Sequence, residues 1–166
     1  MTLLLAAVGA TVTAVLELTV GPYLRFGGAQ PHLVFVCAVV LTVAVGVEAG
    51  LVWAFVGGLA LDVLAQRPLG STAFVLLLVV GATVLLARLL DRIRPVSPIP
   101  IVLILSPVYS LMLLVLFSAL GTPVAAPDPV SAVLPGAAYD TVIAVLIGPL
   151  AIAIHDRRAD QERVDW

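Results

Sequence analysis

The sequence predicts an all-α integral membrane protein with six transmembrane helices and with both termini in the cytoplasm. Three observations lead to this prediction: the composition, the number of long apolar segments and the distribution of arginine. Of the 166 residues, 62% are hydrophobic and 11% are charged, and the mean hydropathy is +1.22. Soluble domains are about 45–50% apolar and about 25% charged, so the composition excludes an ordinary soluble domain.

Six apolar segments approach the length of about 20 residues that a helix needs to cross a membrane. We expect residues 1–154 to form one transmembrane domain and residues 155–166 to form a short charged cytoplasmic tail. The predicted spans are Leu3–Val20, Pro31–Val47, Ala49–Leu64, Ser71–Leu90, Pro98–Leu120 and Ala138–Ile154.

The arginines predict the orientation of these spans, because basic residues concentrate in cytoplasmic loops. All eight basic residues are arginines, and six of them fall in the connection between the fourth and fifth spans or in the tail. These six are Arg88, Arg92, Arg94, Arg157, Arg158 and Arg163. Only Arg25 and Arg67 fall on the other side, so both termini are predicted to be cytoplasmic.

Small residues recur every fourth position on the third predicted helix. Gly50, Ala54 and Gly58 form this stripe, Asp62 ends it, and Gly57 widens it. Small side chains let another helix approach closely inside a membrane, and an acid at that depth is costly without a specific reason. We therefore expect this face to pack against a transmembrane helix of a partner protein.

The first predicted helix carries a similar stripe, formed by Ala6, Ala10 and Ala14. It is a second candidate for packing against a partner helix. For both stripes, packing within the protein's own helical bundle remains an open alternative.

Several polar residues converge on the outer half of the predicted bundle. Glu17, Asp62 and Asp140 lie near the outer ends of their helices, and Tyr139 is adjacent. They predict a polar cavity that opens to the outside. The alternative is that acids near helix ends only reach interfacial water or pair with arginine in loops.

Sequence motifs for catalysis or cofactor binding are missing. One cysteine and two histidines cannot build a metal cluster when the histidines lie on opposite membrane faces. The paired glycines lack the context of a phosphate loop, and the net charge of −2 gives no support for nucleic-acid binding. We expect a protein without enzymatic activity, catalytic residues, bound metal or cofactor.

The region of the third and fourth helices resembles the rod shape-determining protein MreD family. That family has a glycine-rich third helix that ends in Gly-Leu-x-x-Asp and is followed by a short turn to Leu-Gly. The matching residues are Gly58, Leu59, Asp62, Leu69 and Gly70.

Further motifs extend the resemblance over nearly the whole chain. Pro31-His32-Leu33 corresponds to a Pro-Asp-Leu motif in the family, and Tyr139-Asp140 corresponds to Tyr-Asn. Pro149 and Arg157-Arg158 then follow in the family's order. His32 and Asp140 differ from the family residues and change the charge at the outer side.

The resemblance implies a non-catalytic scaffold of the cell-elongation machinery, which makes peptidoglycan, in the bacterial inner membrane. The implied partners are MreC, the MreB filament reached through MreC, RodA and a class B penicillin-binding protein. It also implies a fold similar to the substrate-capture subunits of energy-coupling-factor vitamin transporters, which dock through an Ala-x-x-x-Ala stripe. A small-molecule-binding subunit of such a transporter is therefore the alternative function.

Overall fold

The computed structural model describes residues 2–24, 29–90, 96–121 and 133–164, and these residues form six α-helices. The helices are α1 (Thr2–Val20), α2 (Leu33–Ala44), α3 (Val47–Leu64), α4 (Ser71–Leu89), α5 (Pro98–Ala119) and α6 (Val133–Val164). Five of them are long and apolar enough to cross a membrane, and α2 is a shorter apolar helix. The prediction of an all-helical membrane protein is confirmed.

Helix α2 is much shorter than the span predicted over Pro31–Val47. It has 12 residues, which corresponds to about 18 Å, whereas the hydrocarbon core of a bilayer is about 30 Å thick. The helix stops before Gly46, whose φ of +130° belongs to a region that residues with side chains rarely adopt. Helix α3 begins at the next residue, Val47.

The short helix α2 lies at the centre of the bundle. Eight of its 12 residues are buried, and it contacts all five long helices, which pack around it in the order α1, α3, α4, α5, α6. Among the described residues, α1 and α6 show no extended packing against each other. We call this opening in the ring of long helices the α1–α6 gap.

The two ends of the bundle are named here by the predicted topology. The outer end contains the C-termini of α1, α3 and α5 and the N-termini of α2, α4 and α6. The inner end contains the N-termini of α1, α3 and α5 and the C-termini of α2 and α4. Helix α6 passes the predicted end of the sixth span and continues to Val164, so the backbone of the predicted tail is helical up to that residue.

Candidate functional site

Two buried carboxylates from different helices meet at the N-terminus of α2. Glu17 of α1 accepts a hydrogen bond from the backbone N–H of Val34 at 2.7 Å, and Asp140 of α6 accepts one from the backbone N–H of His32 at 2.8 Å. The first N–H groups of a helix have no acceptor within the helix, and His32 supplies no side-chain cap. The two acids therefore cap α2 from outside.

Asp140 makes further contacts that join three helices. Its second oxygen lies 3.0 Å from Nδ1 of His32 and accepts a hydrogen bond from the hydroxyl of Ser106 at 2.6 Å. The edge of the His32 ring meets Tyr109, with 5.3 Å between ring centroids, and Tyr109 stacks on Phe35 at 4.9 Å. Asp140 thus connects α6 to the start of α2 and to the middle of α5.

Asp62 caps a different helix. Both of its oxygens lie 3.1 Å from the backbone nitrogen of Thr72, which donates the hydrogen bond, and the hydroxyl of Ser71 lies 3.2 Å from one of them. The N-cap residue of α4 is Gly70, with φ of +87° and no side chain to serve as a cap. Asp62, near the end of α3, supplies the missing acceptor.

The three acids have one physical role in common. Each is buried, and a buried carboxylate is costly unless hydrogen bonds compensate for its lost hydration. The N-terminus of a helix carries a partial positive charge and free N–H donors, which suit an anion. A buried N–H group left without an acceptor costs about 1–3 kcal/mol, so these caps hold α2 and α4 in register with α1, α3 and α6.

The glycines of the α3 stripe lie against neighbouring helices of the same chain. A Cβ atom added at Gly58 would collide with the backbone of Ala73 in α4. One added at Gly57 would lie 2.7 Å from Cγ1 of Val34 and 3.4 Å from Cβ of Ala10. These glycines therefore set how closely α3 approaches α4, α2 and α1.

The other stripe residues are also covered inside the bundle. A Cβ atom at Gly50 would collide with the side chain of Thr42 in α2, and Ala54 is fully buried. Ala6, Ala10 and Ala14 are the buried face of α1, which packs against α3. Contact of either stripe with a partner helix stays a prediction, and it would require the chain's own helices to separate.

The predicted outer polar residues do not all meet at one place. Glu17 and Asp140 lie at the start of α2, Asp62 lies at the start of α4, and Tyr139 is half-buried on α6. The outer polar cavity stays a prediction. Two recesses of substantial volume instead open at the inner end, beside the C-terminus of α2 and the N-terminus of α3.

The groups that bind the three acids were not among the residues predicted from the sequence. Most are backbone N–H groups of His32, Val34 and Thr72, which no residue pattern reveals. A role for Ser71 at the start of α4 could have been predicted, because a hydroxyl residue directly after Gly70 is typical of a helix start. Ser106 lies next to Pro107 in the sequence, but that position does not predict its hydrogen bond to Asp140.

Comparison with known proteins gives one match. The model of the MreD family, described as rod shape-determining protein MreD, matches residues 1–153 of the chain. No curated protein matches the chain, and no solved structure does. Because the family model covers almost the entire bundle, including all three capping acids, the chain belongs to the MreD family of rod shape-determining proteins.

Proposed function

We propose that this protein is a non-catalytic scaffold of the cell-elongation machinery in the bacterial inner membrane and that it binds MreC through membrane helices. RodA and a class B penicillin-binding protein are then partners that it reaches directly or through MreC, and the MreB filament is reached through MreC. The observation that carries the proposal is the match of the MreD family to residues 1–153. A role in rod-shape determination follows from that membership, whereas the partners are proposed.

The chemistry of the buried acids supports a structural role rather than a catalytic one. Glu17, Asp62 and Asp140 are each engaged by a backbone N–H group at the start of a helix. A general acid or base must reach the proton of a bound substrate, and these carboxylates are directed at the chain's own backbone. The same engagement weakens the case for a vitamin-binding subunit that would use these acids.

The α1–α6 gap is the surface that we propose for the helix of MreC. Leu33, Cys37 and Leu41 are four residues apart on α2, and they form a stripe that is half-buried while most of α2 is fully buried. The other faces of α2 are covered by the long helices that pack around it. We therefore propose that this stripe forms the floor of the gap.

Helix α1 forms one wall of this gap and is the least covered of the five long helices. Of the residues in its membrane-spanning segment, only 22% are buried inside the protein, compared with 44% for α3. Helices associate in membranes by close packing rather than by the hydrophobic effect. A single apolar helix in the gap would pack against α1, α6 and the stripe on α2 at the same time.

Co-purification with MreC from the same genome tests the proposal. We expect the tagged protein to retain MreC in mild detergent and Cys37→Trp to lose it, because the larger side chain would fill the floor of the gap. Leu78→Trp is the matched control, because Leu78 is exposed on α4, away from the gap. Both variants are first checked by thermal melting.

Three outcomes would contradict parts of the proposal. Failure of the unmodified protein to retain MreC would argue against the partner. Equal retention by Cys37→Trp and the unmodified protein would argue against the gap. If the protein instead co-elutes with the transmembrane docking subunit of a vitamin transporter, the scaffold function itself is wrong.

A further inference from the structure

A recess lies at the inner end of the bundle, beside the C-terminus of α2. The last turn of α2, the first residue of α3, the end of α4 and the residue before α5 surround a space of about 180 Å³. Its walls come from four parts of the chain and consist of Thr42, Val43, Val47, Val84, Ala87, Arg88 and Ser97. We call this the α2 recess.

The lining of the α2 recess is amphipathic. Valine and alanine side chains form most of its surface, Arg88 is the one ionisable residue among the lining residues, and it lies in the last turn of α4. Thr42 is polar but its hydroxyl already donates to the carbonyl of Ala38 at 2.6 Å. An anion at Arg88 would therefore lie next to apolar walls.

An acid lines a neighbouring recess rather than this one. Glu48 is exposed and lines a second space, of about 650 Å³, together with Thr2, Leu3 and the residues around Gly46. The two spaces share Val47, the first residue of α3. The start of α3 therefore lies between the recess that contains Glu48 and the α2 recess, which contains Arg88.

We propose that the α2 recess binds the phosphate headgroup of an anionic phospholipid of the cytoplasmic leaflet. Arg88 contacts the phosphate, and the valine-lined walls contact the first part of the acyl chains. Basic pockets between membrane helices on the cytoplasmic side suit anionic headgroups, and the predicted topology places the end of α4 at that interface. A free phosphate ion has the same charge chemistry but makes no use of the apolar walls.

The shape of the recess also favours a lipid. It is open rather than enclosed, it lies at the end of a membrane-spanning helix, and exposed apolar residues such as Leu85 and Leu89 continue along α4 beside it. A lipid whose headgroup binds in the recess can therefore extend its acyl chains along α4.

Thermal melting of the full chain in mild detergent tests the proposal. Phosphatidylglycerol should raise the melting temperature of the unmodified protein, and phosphatidylcholine or inorganic phosphate at the same concentration should not. In Arg88→Gln the affinity for phosphatidylglycerol should fall roughly fivefold, since one basic residue near an anionic surface contributes about 1 kcal/mol. Arg157→Gln is the matched control, because Arg157 is exposed on the part of α6 beyond the predicted span.

Two further variants make the result independent of a folding defect. Arg88→Lys keeps the charge and should keep the preference for phosphatidylglycerol, whereas Ala87→Phe fills the recess and should abolish it. Equal stabilisation by phosphatidylglycerol and phosphatidylcholine would overturn the proposal, as would an undiminished effect in Arg88→Gln. Stabilisation by inorganic phosphate alone would show a free-anion site and would overturn the assignment to lipid.

Discussion

The carboxylate of Asp62, near the end of α3, holds the backbone N–H of Thr72, near the start of α4, with 3.1 Å from the nitrogen to each oxygen. The residue between α4 and the preceding turn is Gly70, which has no side chain to cap the helix. The acid therefore replaces a local cap with one from the neighbouring helix. This contact fixes the α3–α4 hairpin at its outer end.

Replacement of Asp62 by alanine should destabilise the protein by about 1–3 kcal/mol, because the N–H of Thr72 would lose its acceptor while remaining buried. Asp62→Asn keeps the volume and one carbonyl acceptor and should lose less. Thermal melting in mild detergent measures both. If Asp62→Ala melts at the same temperature as the unmodified protein, the cap makes no net contribution.

Gly58→Ala should lower the amount of folded protein. The added methyl would collide with Ala73, and overpacking of a tight contact costs about 1–3 kcal/mol. Gly81→Ala is the matched control on α4, since nothing lies within 4 Å of a Cβ atom there. That variant should be neutral or more stable by up to about 1 kcal/mol, because alanine is the better helix former.

The comparison of Gly58→Ala with Gly81→Ala also separates two roles of the small-residue stripe. If Gly58 packs only within the chain, its variant loses stability with or without MreC. If a Gly58 variant melts normally but binds MreC less well, that result would instead support the contact with a partner helix that the sequence predicts.

Replacement of Glu17 by alanine should remove the hydrogen bond that fixes the start of α2. The backbone of Val34 is held on both sides, by Glu17 at its N–H group and by the indole of Trp53 at its carbonyl, 3.1 Å away. We expect a loss of about 1–3 kcal/mol, because the buried N–H of Val34 would lose its acceptor, and a change in the fluorescence of Trp53. Glu48→Ala, at an exposed acid of α3, should change neither. An unchanged emission spectrum in Glu17→Ala would contradict the coupling between the two residues.

Ser106→Ala should destabilise the protein by about 1 kcal/mol. It removes the hydrogen bond of 2.6 Å from the Ser106 hydroxyl to Asp140 and leaves that buried carboxylate with one donor fewer. Ser118→Ala on the same helix removes an exposed hydroxyl that bonds only to its own helix and serves as the control. Equal melting temperatures of the two variants would argue against a stabilising role of the Ser106 contact.

The long helices could be predicted from the sequence because each is a long apolar run, and lipid-facing helices need little else. The length of α2 could not be predicted in this way. Its apolar residues look like a membrane span, but they are covered by protein rather than by lipid. The break at Gly46 depends on a backbone angle that a single glycine in an apolar run does not reveal.

The roles of the polar residues could likewise be predicted only in part from the sequence. The sequence predicts Glu17, Asp62 and Asp140 in the outer half of the bundle, and this depth in the membrane stays a prediction. Their acceptor role at the starts of α2 and α4 depends on backbone N–H groups from other helices, and only the packed bundle brings these together. The stripes likewise predicted close contact, but not that the contacting helices belong to the same chain.

Cross-linking at Cys37 tests the proposed MreC site most directly. Cys37 is the only cysteine of the chain and lies on the half-buried stripe of α2, so it reports on this position without any substitution. When a mild oxidant such as copper phenanthroline is added, single cysteines along the transmembrane helix of MreC should form disulfides with Cys37 at helical spacing, about every three to four residues. A cysteine introduced by Leu78→Cys in a Cys37→Ala background should form none. Cross-links from Leu78→Cys with none from Cys37, in a complex that still co-elutes, would contradict the α1–α6 gap as the binding surface.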